Sequence, residues 1–266
     1  MRTLCFTVDL DRDVNIAIPG GIAAGSIDRG SGAGPRFSSA GKGLSILSDL
    51  LDELSIKATF FAEASTLRKM DSSLLSGHEV GMHGAEHEDL TAAGIDEKRK
   101  IMEESMAAVK DAVGKAPESF RAPYMKIDDE TLGILPEFGI GVDSSRYAEM
   151  SPSLIPEKIG GIWEVPVPEG RDSLGKKISA YLWPMHESKR VPEDYLQMAS
   201  DMKEGAFVIA THTWHMVESR DKGIMSKEEA EANAGNVRKV LEGMMDMGLR
   251  PSTVAEIRKM MEDRPR

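Results

Sequence analysis

Short apolar runs alternate with longer amphipathic stretches along the whole chain. The first run, Leu4-Cys5-Phe6-Thr7-Val8, leads into Asp9-Leu10-Asp11 and reads as a buried strand. Further runs of strand length lie at 58–61, 79–82, 119–121, 139–142, 162–167 and 206–210. Between them, apolar positions recur with helical period at 43–54, 96–113, 128–138, 192–203 and 227–247, and a last short helix starts at Thr253. This alternation predicts a parallel sheet with helices outside it. At 266 residues the chain fits a single α/β domain over 1–266, closed or nearly closed as a barrel. Functional groups in such folds gather at the C-terminal ends of the strands. Asp9, His83, Arg121, Asp143 and His212 each follow a different apolar run.

One stretch breaks the pattern. Residues 12–42 are rich in Gly and Ser and show no period, which predicts a long loop. Because it leaves from Asp11, it would cross the barrel mouth as a lid or substrate-shaping wall, unless it is a tolerated surface insertion.

Charge and composition narrow the partners. A net charge of -11 opposes nucleic acid and anionic membrane surfaces. No apolar run approaches membrane-spanning length, so no membrane insertion is expected. The single Cys5 sits inside an apolar run, as a buried inert thiol in a reducing compartment would. Met1-Arg2 leads straight into the first strand without a signal peptide, which predicts a cytoplasmic protein. Homo-oligomerisation is left open.

The chemistry is carried by a few residues. Side chains two apart in a strand share a face, so Asp9 and Asp11 point the same way. His83 and His87, four apart in His83-Gly84-Ala85-Glu86-His87, converge on one side of a helical turn or within a tight loop. One carboxylate and two imidazoles make three corners of a tetrahedron with water at the fourth, as in catalytic zinc sites. The zincin pattern is absent, because Gly84 follows the first histidine. Each fragment also has an ordinary reading, a solvated strand end for the D-x-D and a surface pair for the histidines.

The order Thr7-Val8-Asp9-Leu10-Asp11, Ala58-Thr59-Phe60-Phe61, His83-x-x-x-His87, Phe120-Arg121-Ala122-Pro123-Tyr124, Asp143-Ser144-Ser145 and a late His212 resembles the polysaccharide deacetylase family, carbohydrate esterase family four, with its NodB-homology domain. The resemblance implies a distorted (β/α)7 TIM-like barrel and metal-dependent hydrolysis of an N-acyl group. It implies Asp9 as catalytic base and Asp11, His83 and His87 as metal ligands. Arg121 would hold Asp9 ionised, the Tyr124 N–H would bind the oxyanion, and His212 would be the general acid. Asp143 would support the arginine and the histidine. Leu10 stands where the family's second Asp usually is, so the ligand moves to Asp11, with Asp13 as the alternative carboxylate. This D-x-D form resembles a subgroup with peptidoglycan-deacetylase-like, allantoinase-like and sugar-deformylase members.

The implied cofactor is a divalent metal, Zn2+ first, with Co2+, Mn2+ or Ni2+ as alternatives. Trp214, with Tyr124, would line the acyl or sugar pocket, while Trp214 as ordinary packing is the competing reading. His215 is an alternative acid or a surface residue, and His78 and His186 are structural. Three functions compete: deacetylation of an N-acetylated amino sugar, hydrolysis of a cyclic amide or N-formyl group on the same fold, and an inactive carbohydrate-binding barrel. The substrate would be an N-acylated sugar or small amide.

Overall fold

The computed structural model describes residues 2–13, 15–17, 24–26 and 35–263. Its central sheet is built from β1 (Arg2–Leu10), β2 (Thr59–Ala62), β3 (Glu79–Met82), β4 (Ser119–Phe120), β5 (Val142–Asp143), β6 (Ile162–Glu164) and β7 (Glu204–His212). These strands are all parallel and lie in the order β6-β5-β4-β3-β2-β1-β7. A parallel neighbour needs a crossover, and helices supply most of these: α1 (Ser38–Leu54), α2 (Ile95–Val113), α3 (Asp129–Ile134) and α4 (Pro192–Ser200), with α5 (Lys227–Asp246) and α6 (Val254–Glu262) after β7. β1 lies mid-sheet and is buried from Thr3 to Leu10 on both faces, which is why its sequence reads as a run and not as an alternation.

The expected (β/α)7 order is present, but the barrel is not closed by a β6–β7 pairing. The outer edge of β6 carries Glu157–Ile159, antiparallel, and that of β7 carries Ser153–Leu154. Between β5 and β7 the chain also makes a three-stranded sheet, Tyr147–Glu149, Val167–Arg171 and Lys177–Ser179. From there it returns to the main sheet, where Tyr181 bridges Ala210 of β7. The sequence predicted none of this insertion. It also predicted strand over 162–167, whereas Val167 belongs to the smaller sheet.

The 12–42 expectation lies largely outside the described residues. Within its described part, Asn15–Ala17 pairs antiparallel with Ala24–Ser26, and α1 starts at Ser38, ahead of the predicted position 43. Asp13 explains the early start. Its carboxylate accepts from the Ser39 and Ala40 N–H groups at 3.0 and 2.7 Å, satisfying donors that an α-helix N-terminus leaves without partners. This occupation removes Asp13 as the alternative metal ligand.

α1 packs directly on the turn that follows β7. A Cβ built on Gly43 would fall inside the Thr213 carbonyl group and 3.3 Å from Met216 Cβ, so only glycine allows helix and turn to meet here. Gly41, two residues nearer the N-terminus, has only Met70 side-chain atoms nearby, at 3.7 and 3.9 Å. Gly43→Ala is expected to lower stability by about 2 kcal/mol, because backbone must shift. Gly41→Ala is expected to be neutral or to add up to about 1 kcal/mol from helix propensity. Urea unfolding of both variants checks this, and equal effects would remove the close-approach argument.

Candidate active site

The sheet register brings the candidate residues together. Asp9 is paired directly with His212 on one side and with Phe61 on the other. The ladder then continues one residue past each strand: His83 N–H donates to Ala62 O, Arg121 N–H to Met82 O and Ser144 N–H to Phe120 O, each at 3.0 Å. The turn after β7 is tied back by the Thr213 N–H on the Asp9 carbonyl at 3.1 Å. Residues from five distant stretches of sequence therefore share one strand-end layer.

Asp11, His83 and His87 each offer a ligand atom within 4.8 Å of the others, and all three are buried. The histidines lie on a tight loop, not a helical turn. Gly84 and His87 take positive φ values of 77° and 58°, and the Glu88 carboxylate accepts from the Ala85 and Glu86 N–H groups. His83 Nδ1 is 2.8 Å from the Arg121 carbonyl, which can only accept, so this nitrogen carries the proton and Nε2 keeps its lone pair. That Nε2 is buried and has no hydrogen-bond partner among the described residues. His87 Nε2 stands 3.3 Å from Asp11 Oδ2.

Burial holds the His87 ring down at about 4 and lowers His83 as well, so both are neutral ligands at ordinary pH. Burial pushes Asp11 up to about 7 against the pull of His212 and His83. One oxygen and two nitrogen donors within reach of one another, with a buried His83 lone pair among them, fit a divalent cation. The Asp11 backbone is steadied through Arg12, whose guanidinium is buried against Glu63 and also meets Glu86.

Asp9 is in the opposite condition. Burial raises it, but Arg121, His83, His212 and a hydrogen bond from Tyr181 outweigh that and bring it down to about 2. Arg121 is fully buried. Its Nη1 donates to Asp9 Oδ1 and Thr7 Oγ1, its Nε to the Ser144 carbonyl and its Nη2 to Ser144 Oγ, all at 2.9 Å, while the guanidinium lies over the Phe61 ring. The Tyr181 hydroxyl donates to Asp9 Oδ2. His212 Nε2 faces both carboxylates at 4.0 Å. Two acids two residues apart are thus driven in opposite directions by their surroundings, the arrangement that lets one serve as base and the other as ligand.

These groups open on a cavity of about 560 Å³, within the range of small-molecule sites. Tyr124 lines it with a positive φ of 59° and its ring edge-on to His87. Trp214 also lines it, its ring centroid 5.3 Å from that of His212, with Trp183 edge-on to both. Trp214 is nearly fully buried in this packing.

Asp143 does not stand where the resemblance put it. It hydrogen-bonds neither Arg121 nor His212. Its carboxylate accepts from Ser145 Oγ at 2.6 Å and pairs with Glu164, which burial and the Asp143 charge push well above the usual carboxylate range. Ser145 Oγ in turn accepts from the Ala122 N–H at 2.8 Å. Asp143 fixes the backbone beside Arg121 and touches no reacting group. His215 is buried with Nε2 2.9 Å from Glu187, and His186 sits between Asn233 and Thr211, so neither faces the cavity. His78 accepts from the Ala58 N–H. Sequence reasoning missed Tyr181, Trp183, Glu63 and Arg220. The only signal for the first two was an aromatic pair, Tyr181-Leu182-Trp183, in a stretch without period.

Comparison with known proteins agrees with this geometry. Residues 42–142 match the sequence profile described as polysaccharide deacetylase. The chain is 32% identical over 99 residues to chitin deacetylase 1 of Cryptococcus neoformans, covering 36% of this chain and 21% of that one. It is 26% identical over 126 residues to the peptidoglycan deacetylase of Helicobacter pylori, covering 46% and 42%. It thus spans well under two thirds of these relatives' lengths. Over nearly its whole length it superposes on a putative polysaccharide deacetylase from Mycobacterium smegmatis, with TM-score 0.67, 22% identity and coverage of 99% and 92%, a likeness of fold. Residues 42–142 thus carry the polysaccharide deacetylase profile, and the chain shares its fold from end to end with a solved structure described as a putative member of that group.

Proposed function

We propose that this protein is a metal-dependent hydrolase that removes the N-acetyl group of an amino sugar. The observation that carries the reading is the split between the two carboxylates: Asp9 held ionised by Arg121 and Tyr181, Asp11 raised by burial and converging with His83 and His87. Zinc is the proposed metal, because two neutral imidazoles and one carboxylate are a common catalytic zinc set. Such an ion supplies polarisation of the acyl carbonyl and acidification of water when bound at Asp11, His83 and His87.

The chain's own residues do the rest. Asp9, ionised across the working pH range, accepts the proton of the attacking water. Arg121 and Tyr181 hold both its oxygens, so the base cannot swing away from the cavity. The Tyr124 N–H donates to the oxyanion, a kind of contact whose loss costs about 3 kcal/mol in other hydrolases. His212 then protonates the leaving nitrogen. Burial lowers this imidazole, while Asp11 and Asp9 facing it favour its charged form. The carbon–nitrogen bond breaks, and acetate and a free amine leave. Trp183 and Trp214 wall the acyl end of the cavity and keep bulk water out.

Cavity size and charge support a small or precursor sugar over a polymer, since about 560 Å³ accommodates one or two sugar units and a net charge of -11 repels an anionic chain. A cytoplasmic setting is part of this proposal, supported by the one buried cysteine. Among the described residues no helix is long and apolar enough to cross a membrane.

The purified protein is expected to bind about one zinc per chain, and His83→Ala to lose most of it. Metal analysis after zinc loading and desalting checks this, and equal metal in the two proteins would remove the site. Asp9→Asn is expected to keep its zinc and lose about 10²- to 10⁴-fold in kcat, whereas Asp11→Asn loses the metal itself. His212→Ala keeps zinc and loses most on the poorest leaving amines, and Tyr181→Phe keeps zinc with a smaller fall in kcat. The reverse division between Asp9 and Asp11 would mean that their roles are exchanged. In a panel scoring acetate and formate, release of acetate per bond is expected to be faster from soluble N-acetylated sugars than from chitin or intact peptidoglycan. Faster release from the insoluble polymers would overturn the small-substrate reading, and formate alone would replace deacetylation by deformylation.

A further inference from the structure

Of the described side chains that line the cavity, Arg220 is the one with a permanent positive charge. It sits at the tip of a short hairpin in which Glu218 pairs with Ile224 and Ser219 with Gly223. This tip is not loose. The buried carboxylate of Glu187 accepts from the Arg220 N–H at 2.7 Å, from Ser219 Oγ at 2.7 Å and from the Asp221 N–H at 3.3 Å. The same carboxylate is 2.9 Å from His215 Nε2, and the His215 ring stacks on Trp214. One buried acid therefore ties the hairpin to the aromatic wall.

The guanidinium that this anchoring sets in place lies over the Trp183 ring, 4.9 Å from its centroid. Stacking on an indole uses the face of the guanidinium and leaves its edge donors for an acceptor in the plane. Among the described residues Arg220 makes no ion pair, in contrast to Arg12, Arg36 and Arg121 around the same mouth. Trp183 also meets the His212 ring edge-on, 5.3 Å between centroids, so the cation stands one ring away from the reacting end of the cavity. In a protein whose overall charge repels anions, a stacked, anchored cation at this place selects for one negative group.

We infer that Arg220 binds an anionic substituent, a carboxylate or a phosphate, carried by the sugar whose N-acyl group lies at His212. The inference rests on the proposed hydrolase reading for the identity of that sugar. Titration calorimetry on the zinc-loaded protein would compare N-acetylglucosamine with N-acetylglucosamine 6-phosphate and N-acetylmuramic acid. At least one charged sugar is expected to bind about tenfold tighter than the neutral one, as a charge-assisted bidentate contact would give. Arg220→Ala should bring that ratio to within about twofold, Arg220→Lys should keep only part of it, and raising salt from about 50 to 300 mM should shrink it. Whichever charged sugar gains more assigns phosphate or carboxylate.

Equal affinities in the wild type, a preference that survives in Arg220→Ala, or no binding of any of the three would overturn the inference. Circular dichroism and zinc content of the variants separate loss of recognition from loss of fold. Acetate release from the same sugars keeps the two readings apart. Charge-dependent binding without release would overturn the hydrolase and leave the anion site standing, while release with no charge preference would do the opposite.

Discussion

The buried pairing of Arg121 with Asp9 is the contact on which the rest of this centre depends. Removing two full charges from water costs several kcal/mol per ion, and attraction between them offsets it only when further hydrogen bonds complete the geometry. Here they do. The guanidinium spends its other donors on Thr7 of β1 and on both the carbonyl and the hydroxyl of Ser144 beyond β5. Arg121's own carbonyl fixes the tautomer of His83. One residue thereby joins β1, the end of β4 and the end of β5, its side chain setting the charge of the base and its carbonyl the lone pair of a ligand.

The opposed states of Asp9 and Asp11 follow from that arrangement. Strand alternation puts both carboxylates on one face, yet the arginine reaches only the first. The second is dominated by burial and lies against His83, His87 and His212. A metal ion held by its carboxylate and the two neutral imidazoles would favour the ionised form of Asp11, so metal binding and release of its proton are linked.

How much of this was legible in the sequence depended on whether a residue's role was local. Asp9, Asp11, His83, Arg121 and His212 end apolar runs, and strand parity with parallel register is enough to gather them. The longer helices were legible for the same reason, whereas the single period read over 128–138 divides into a helix at Asp129–Ile134 and a tighter turn at Leu135–Phe138. What failed was the stretch from Asp143 to Trp183. Three of its strands, Tyr147–Glu149, Val167–Arg171 and Lys177–Ser179, are three to five residues long and pair outside the main sheet, too short for a period to show. Tyr181 reaches Asp9 from this stretch across 172 positions of sequence, a contact that no local pattern encodes. Asp143 illustrates the converse: its motif position was legible, but a buried partner, Glu164, and a neighbouring serine redirect its carboxylate.

The gap between β6 and β7 has a consequence for how such a protein can diversify. The three ligand residues hang from β1 and β3 and their loops, whereas Tyr147, Ser179, Tyr181 and Trp183 arrive on the insertion that spans the gap. A closed barrel would fix both sets in one hydrogen-bonded ring, and any change in the wall would strain the metal ligands. With the seam bridged, among the described residues, by short pairings of Ser153–Leu154 and of Tyr181 with β7, the insertion can lengthen or shorten between them while the register of β1 with β2 and β7 is untouched. The metal ligands and most of the surface that chooses what reaches them are mechanically separable, with Tyr181 on Asp9 as the point of the insertion that must stay in place while new specificities are grafted around it.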